Sequence, residues 1–295
     1  MIELTPPVPV SLGALPSTQW LRLWKRARRS TGILVGVGLL LVLILAALAA
    51  PLLSRYDPVL ITPKDRLKPP SAEHIFGTDQ FGRDMLTRTL YGGQISLQVG
   101  IVSVALATVA GTALGLISAY YGGRVDAVIM RFIDVLMAFP DILLALAIVA
   151  FLGRSLQNVM IAVGISSIPL FTRIVRGSAL SIKQMDYALA AQLIGCTSGQ
   201  VMLRHVLPNV LAPLIVVTTN SIAGALISGA ALSFLGLGVQ PPTPEWGIML
   251  SEGQAFLRSA WWVTTFPGLA IMLAVMAINL MGDGLRDVLD PRLKL

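Results

Sequence analysis

Charge is scarce in this 295-residue chain: 13% of its positions are Asp, Glu, Lys or Arg, against 55% hydrophobic. A soluble domain is about a quarter charged, and so little polar surface cannot cover a globule of this length. The mean hydropathy of +0.78 makes the chain an integral membrane protein. Cysteine is limited to Cys196, which excludes an intrachain disulfide and the paired-cysteine zinc patterns and leaves a reduced, structurally neutral thiol. No metal site is expected. The two histidines, His74 and His205, fall on segments assigned to opposite sides of the membrane, and no Ser or Cys nucleophile has an identifiable base. No catalytic residues are therefore assigned. A Gly-x-x-x-x-Gly-Lys-Ser/Thr phosphate loop is missing, so the chain cannot bind and hydrolyse ATP in that manner. Nor is there a basic tract with interleaved aromatics for nucleic acid. The net charge of +7 instead sits beside apolar runs, where it sets topology and meets anionic lipid headgroups.

What is present is a series of apolar runs long enough to span a bilayer, at about residues 30–54, 89–123, 125–153, 155–172, 209–238 and 262–281. The expected fold is all-α with six transmembrane helices and cytoplasmic N- and C-termini. Most of the Lys and Arg then fall on cytoplasmic segments, in keeping with the positive-inside tendency. Residues 1–29 read as a cytoplasmic segment. In it Ser17 begins a short interfacial helix with Trp20, Leu23, Trp24 and Ala27 on one face and Arg22, Lys25, Arg26, Arg28 and Arg29 around the rest. The run at 30–54 is too long for a signal core and reads as an uncleaved first helix. Residues 55–93 form an external loop, and 94–295 hold the remaining five spans.

The second apolar run has room for one span plus a surface-lying approach, with Tyr120 and Tyr121 at its far interface. In the third, Arg131 and Asp134 stand one turn apart and suit an intrahelical ion pair, while Asp141 follows Pro140. Charges at such depth must pair or face water, and Asp141 is a candidate for the path of a transported solute. Thr219, Asn220 and Ser221 in the fifth run are further path candidates, with interhelical hydrogen bonding as the equal alternative.

Residues 186–208, within a loop at 183–208, interrupt this apolar pattern. Asp186 is placed to cap a short helix that Gly195 ends in the left-handed conformation. Thr197 and Gln200 have capping-box spacing for a second helix, which Pro208 is expected to stop. Ala190 and Ala191, three further residues, Gly195, and then Leu207 and Pro208 resemble the cytoplasmic coupling loop of bacterial ABC importer permeases, whose consensus is Glu-Ala-Ala, Gly and Leu-Pro. Leu189 stands where that consensus has Glu. A DNA-binding helix-turn-helix has similar spacing, but its second helix would need a basic face and here has only Arg204 and His205.

Two external stretches carry a narrower resemblance. Gly77-Thr78-Asp79, Gly82-Arg83-Asp84 and Thr87-Arg88 resemble the signature of the peptide and nickel branch of these permeases, and read as a loop stitched by Asp–Arg pairs and turn glycines. Residues 233–247, with Pro242, Glu245 and Trp246, resemble the corresponding loop of dipeptide, oligopeptide, glutathione and nickel permeases. A proline-stiffened loop with an exposed Trp suits docking of a binding protein; the alternative is an interfacial belt of Trp246, Trp261 and Trp262. Residues 282–291 match the family's cytoplasmic ending.

The resemblance implies a non-catalytic permease subunit of an ATP-driven importer of di- or oligopeptides in the bacterial inner membrane, with nickel or glutathione as alternative cargo. Implied partners are a second homologous permease, two ATP-binding subunits that hold ATP and Mg, a periplasmic or lipid-anchored solute-binding protein, and membrane lipids. Tyr187, Ala190, Ala191, Gly195, Leu207 and Pro208 would form the ATPase-coupling surface. An ion-coupled secondary transporter, the alternative from another class, would show two similar halves, and no internal repeat is found.

Overall fold

Ser30 opens the first long helix, its hydroxyl accepting from the Ile33 amide at 3.5 Å. The computed structural model describes Arg28 and residues 30–289; apart from Arg28, the expected interfacial helix at 17–29 lies outside them, as does the tail from Asp290 onward. Among the described residues there is no strand, only an isolated bridge between Thr78 and Asp84. Helix α1 spans Thr31–Leu48 and is prolonged by one turn, Ala50–Leu53. An irregular segment follows. Then come α2 (Met85–Tyr121), α3 (Gly123–Met137), α4 (Asp141–Leu152) and α5 (Leu156–Lys183). The hairpin contributes α6 (Asp186–Leu193) and the single turn α7 (Ser198–Val201). Last are α8 (Leu207–Phe234), the short α9 (Trp246–Gly253) and α10 (Trp262–Leu289).

Among the described residues, five helical stretches are long and apolar enough to cross a membrane, and a sixth is reached only if α3 and α4 count as one bent span. The third apolar run is thus not one helix. Its two parts meet at 91°, because Pro140 offers no N–H to the ladder and drives Phe139 out of the helical region. The second run is a single helix of 37 residues that begins at Met85, not a span with a surface-lying approach. It takes in the end of the loop expected to extend to residue 93. Asp84 makes that start possible, accepting from the Thr87 amide at 2.8 Å. The fourth run continues past Thr172 to Lys183, the sixth continues to Leu289, and the fifth ends at Phe234.

Glycine notches set the packing. A Cβ on Gly115 of α2 would lie 2.7 Å from the Thr172 carbonyl and one on Gly111 would overlap Phe171, so α2 and α5 touch backbone to backbone. On α1, a Cβ on Gly36 would meet the Met281 amide of α10 at 2.6 Å. Small residues permit such approach where no hydrophobic force drives helices together. Gly115→Leu should therefore separate α2 from α5, and size-exclusion profiles in detergent should show little monodisperse protein. Around this seam Val104, Ala107, Val149, Val163, Phe171, Val175, Val210 and Leu214 form the main core. A second cluster of Met85, Trp246, Met249, Ala260, Trp262 and Val263 joins α9 to the starts of α2 and α10. Val42, Val109 and Phe151 face outward, as a surface wetted by lipid or covered by subunits requires.

The expected pair of Arg131 with Asp134 is not formed. Asp134 is taken by Arg173 of α5 at 2.7 Å, and Arg131 makes no ion pair among the described residues. A turn of spacing put the two in reach, but a guanidinium from a neighbouring helix reached the carboxylate first.

Candidate functional site

The hairpin between α5 and α8 is built largely from local signals. Asp186 is not the cap: Met185 occupies that position without a side-chain bond, and Asp186 is the first helical residue, where its charge still complements the helix N-terminus. At the other end Gly195 has φ +90°. The Cys196 amide donates to the Ala191 carbonyl at 3.0 Å and the Gly195 amide to that of Gln192 at 3.1 Å, the paired bonds of a Schellman ending. Thr197 and Gln200 close the expected capping box, with the Thr197 amide donating to Gln200 Oε1 at 2.8 Å.

Pro208 does not stop the second helix. The chain stays helical from Ser198 to Phe234, passing through a π-helical turn, Met202–Val206, in which the Leu207 amide donates to the Met202 carbonyl. The extra residue in that turn absorbs the missing N–H of proline and its ring. The hairpin thus ends in a joint continuous with α8.

The faces of α6 differ from the sequence expectation. Tyr187 and Ala190 are exposed, but Ala191 is 4% exposed and packs with Ala188 toward the body, so Ala191 is not part of an outward surface. Leu207 is partly buried against the main core and Pro208 is exposed. What sequence reasoning missed is the exposed apolar tip, Leu193 at 88% and Ile194 at 83%. Its signal was present: two large aliphatic residues directly before a helix-ending glycine in a segment assigned to water.

The path candidates separate. Asn220 and Ser221 line a cavity of about 640 Å³ with Leu170, Asn209, Val217 and Arg286, between α5, α8 and α10. Thr219 is buried and donates to the Ile215 carbonyl of its own helix at 2.9 Å, and Asp141, the exposed first residue of α4, does not line that cavity. Asn220 Oδ1 is buried without a partner, held against Gly282.

In the proline loop, Pro242 is exposed and its carbonyl accepts from Arg88 at 3.1 Å. Glu245 and Trp246 overturn the expectation of an exposed docking residue, being 2% and 3% exposed. Trp246 Nε1 donates to the Thr89 carbonyl at 2.9 Å, and its ring lies over Gly92 and Gly93 of α2. Glu245 caps α9, accepting from the Gly247 and Ile248 amides and from Ser96 Oγ, all at 2.9 Å. Burial pushes its carboxyl up from the usual range, while those donors pull it back. Trp262 is likewise buried and donates to the Thr78 carbonyl at 3.0 Å; only Trp261 is exposed as an interfacial anchor would be.

The expected stitching of the external loop is present and denser than foreseen. Arg83 bonds Asp79 at 2.5 Å and Glu252 at 3.0 Å. Arg88 adds Asp79, Glu252 and the Pro58 carbonyl, while His74 Nδ1 meets Asp84 at 2.9 Å. Glu252, from α9, had no sequence signal because it lies far along the chain.

Residues 111–295 match the family model described as binding-protein-dependent transport system inner membrane component, and residues 18–70 match the N-terminal TM domain of oligopeptide transport permease C. The dipeptide transport system permease protein DppC of Alkalihalophilus pseudofirmus is 48% identical over 93% of this chain and 90% of its own. The glutathione transport system permease protein GsiD of Escherichia coli is 47% identical over 94% and 92%. Among solved structures, an inward-facing MetNI methionine ABC transporter shares the fold at a TM-score of 0.57 and 19% identity, covering 69% of this chain and 97% of that one.

Proposed function

This chain belongs to the family of binding-protein-dependent transport system inner membrane components, and from that premise we propose that it is the permease subunit of an ATP-driven importer carrying di- and oligopeptides across the bacterial inner membrane. Both termini and the hairpin face the cytoplasm. The chain itself is non-catalytic and holds no cofactor; two partner subunits bind ATP and Mg and hydrolyse the nucleotide, a second homologous permease completes the pore, and a periplasmic or lipid-anchored solute-binding protein delivers the cargo. The observation that carries this reading is the exposed apolar tip of the hairpin, Tyr187, Ala190, Leu193 and Ile194, at the junction of two membrane helices. An apolar knob at the water interface is stable in a cleft of another protein and not in water. Closure of a pair of ATPases around it would reach α5 and α8 as rigid-body tilt, because packed helices shift as units.

The resemblance to a glutathione permease supports a second cargo of the same chemistry, a small peptide with free carboxylates. A strain lacking its own uptake systems and carrying the complete importer should grow on a dipeptide as sole source of a required amino acid. Gly195→Val should abolish that growth. With φ at +90° and no heavy atom within 4 Å of a Cβ, the substituted residue meets no clash but costs about 1–2 kcal/mol in the left-handed conformation, so the hairpin refolds while the spans remain. Undiminished growth with normal membrane levels would count against the assignment.

A further inference from the structure

Helix α3 is jointed at both ends. It starts at Gly122 and Gly123, at φ +61° and +51°, with nothing within 4 Å of either Cβ position. It ends at residues 138–140, where the axis turns by 91° into α4. Between these joints only Ile133 is buried, and Val128, Phe132 and Val135 are exposed. Apolar packing therefore does little to fix where α3 lies.

Charge does. Arg176 of α5 donates through Nε and Nη2 to the two oxygens of Asp126, each at 2.6 Å, and Ser118 of α2 donates to the same carboxylate. Farther along α3, Arg173 Nη2 reaches Asp134 Oδ1 at 2.7 Å. The two carboxylates lie on one face of α3 and the two guanidiniums on one face of α5. Such a fork-to-carboxylate bond is directional as well as strong. Beyond these arginines α5 runs on to Lys183, which anchors the end of α2 through the Tyr120 carbonyl at 3.0 Å, and then enters the hairpin.

We infer that the Asp126–Arg176 and Asp134–Arg173 pairs are positioning contacts that make α3 and its elbow at residues 138–140 move with the hairpin during transport. The inference rests on the proposed function for the source of the motion. Two glycines at one joint and a proline at the other leave α3 free to swing, and the pairs decide that it follows α5.

The test uses the complete importer in lipid vesicles, with spin labels on native Cys196 and on Phe139→Cys, an exposed elbow position. With both pairs intact, the distance distribution should stay single and equally narrow with and without ATP. In Asp126→Asn with Asp134→Asn it should broaden, peptide import should fall at least tenfold, and basal ATP hydrolysis should stay within twofold. The inference is overturned if the distribution does not change in that variant, if import is unaffected, or if import and hydrolysis fall together in step with the amount of assembled complex. A complex with intact pairs that imports no peptide would instead refute the cargo reading, and the distance measurement would still decide the link.

Discussion

Leu193→Glu combined with Ile194→Glu removes import and leaves the permease in the membrane at its normal level. Both side chains are almost wholly exposed, so their replacement barely touches the folded chain; surface changes of this kind usually fall within about 0.5 kcal/mol. Docking is another matter. Burying a Leu or Ile side chain contributes about 1.5–3 kcal/mol, and forcing a carboxylate into the same apolar cleft adds a desolvation cost. Losing both residues weakens the contact by at least about 3 kcal/mol, more than a hundredfold in affinity at about 1.4 kcal/mol per factor of ten. Affinity purification of the tagged permease should recover the ATPase subunits from cells with the unaltered chain and not from cells with the double variant. Full recovery of those subunits would show that the tip is not where force enters.

Ala190 and Ala191 sharpen the same point. The exposed Ala190→Leu would alter only the docked face. The buried Ala191→Leu would overpack the contact with the body, at a cost of about 1–3 kcal/mol, and would lower the yield of folded permease before docking is tested. Adjacent alanines with the same consensus status thus separate in kind of effect: one changes ATPase recovery, the other thermal stability.

This difference marks how far the residues could be read. Gly195, Thr197 and Gln200 were legible because caps are made by neighbours in sequence. Which alanine faces inward was not, since an eight-residue helix with apolar residues on most sides carries no periodicity strong enough to orient it, and its packing against α5 and the turn α7 decides. Pro208 misled because the rule that proline ends a helix assumes an α register, and the π turn at Met202–Val206 supplies another. Trp246 misled for a tertiary reason: a tryptophan after three prolines reads as a loop tip, yet Gly92 and Gly93 on α2 leave a slot for its ring, with Cβ positions 3.2 and 3.0 Å from indole atoms. The six apolar runs were plain from composition, but the right-angle break in the third was visible only as Pro140.

Arg88→Met should produce the largest loss of stability of any single substitution in the loops around α9 and the head of α2. Arg88 is 1% exposed and serves three acceptors, Glu252 at 3.3 Å and the Pro58 and Pro242 carbonyls at 2.9 and 3.1 Å, with an ion pair to Asp79 at 3.5 Å. It thereby joins the segment after α1, α9 and the proline loop at the head of α2. Two guanidiniums and two carboxylates balance in this cluster; removing one leaves Asp79 and Glu252 to share Arg83 and strips two carbonyls of their donor. Breaking a buried pair from one side typically costs about 3–5 kcal/mol. For a chain of this size that corresponds to a melting temperature lower by roughly 5–8 °C. Arg88→Lys should not rescue it, because one ammonium cannot span carboxylates and carbonyls on three segments as a planar fork does. The half-exposed Lys68, 2.6 Å from the carboxylate of Asp65, provides the control. Lys68 holds the Asp65 carboxyl below its usual range through that hydrogen bond, but water reaches the ammonium and weakens the pair, and Lys68→Ala should lower the melting temperature far less than Arg88→Met does. Thermal unfolding of the three variants in one detergent compares them directly. An Arg88→Met protein as stable as the unaltered chain would mean that helix packing alone holds the external platform together.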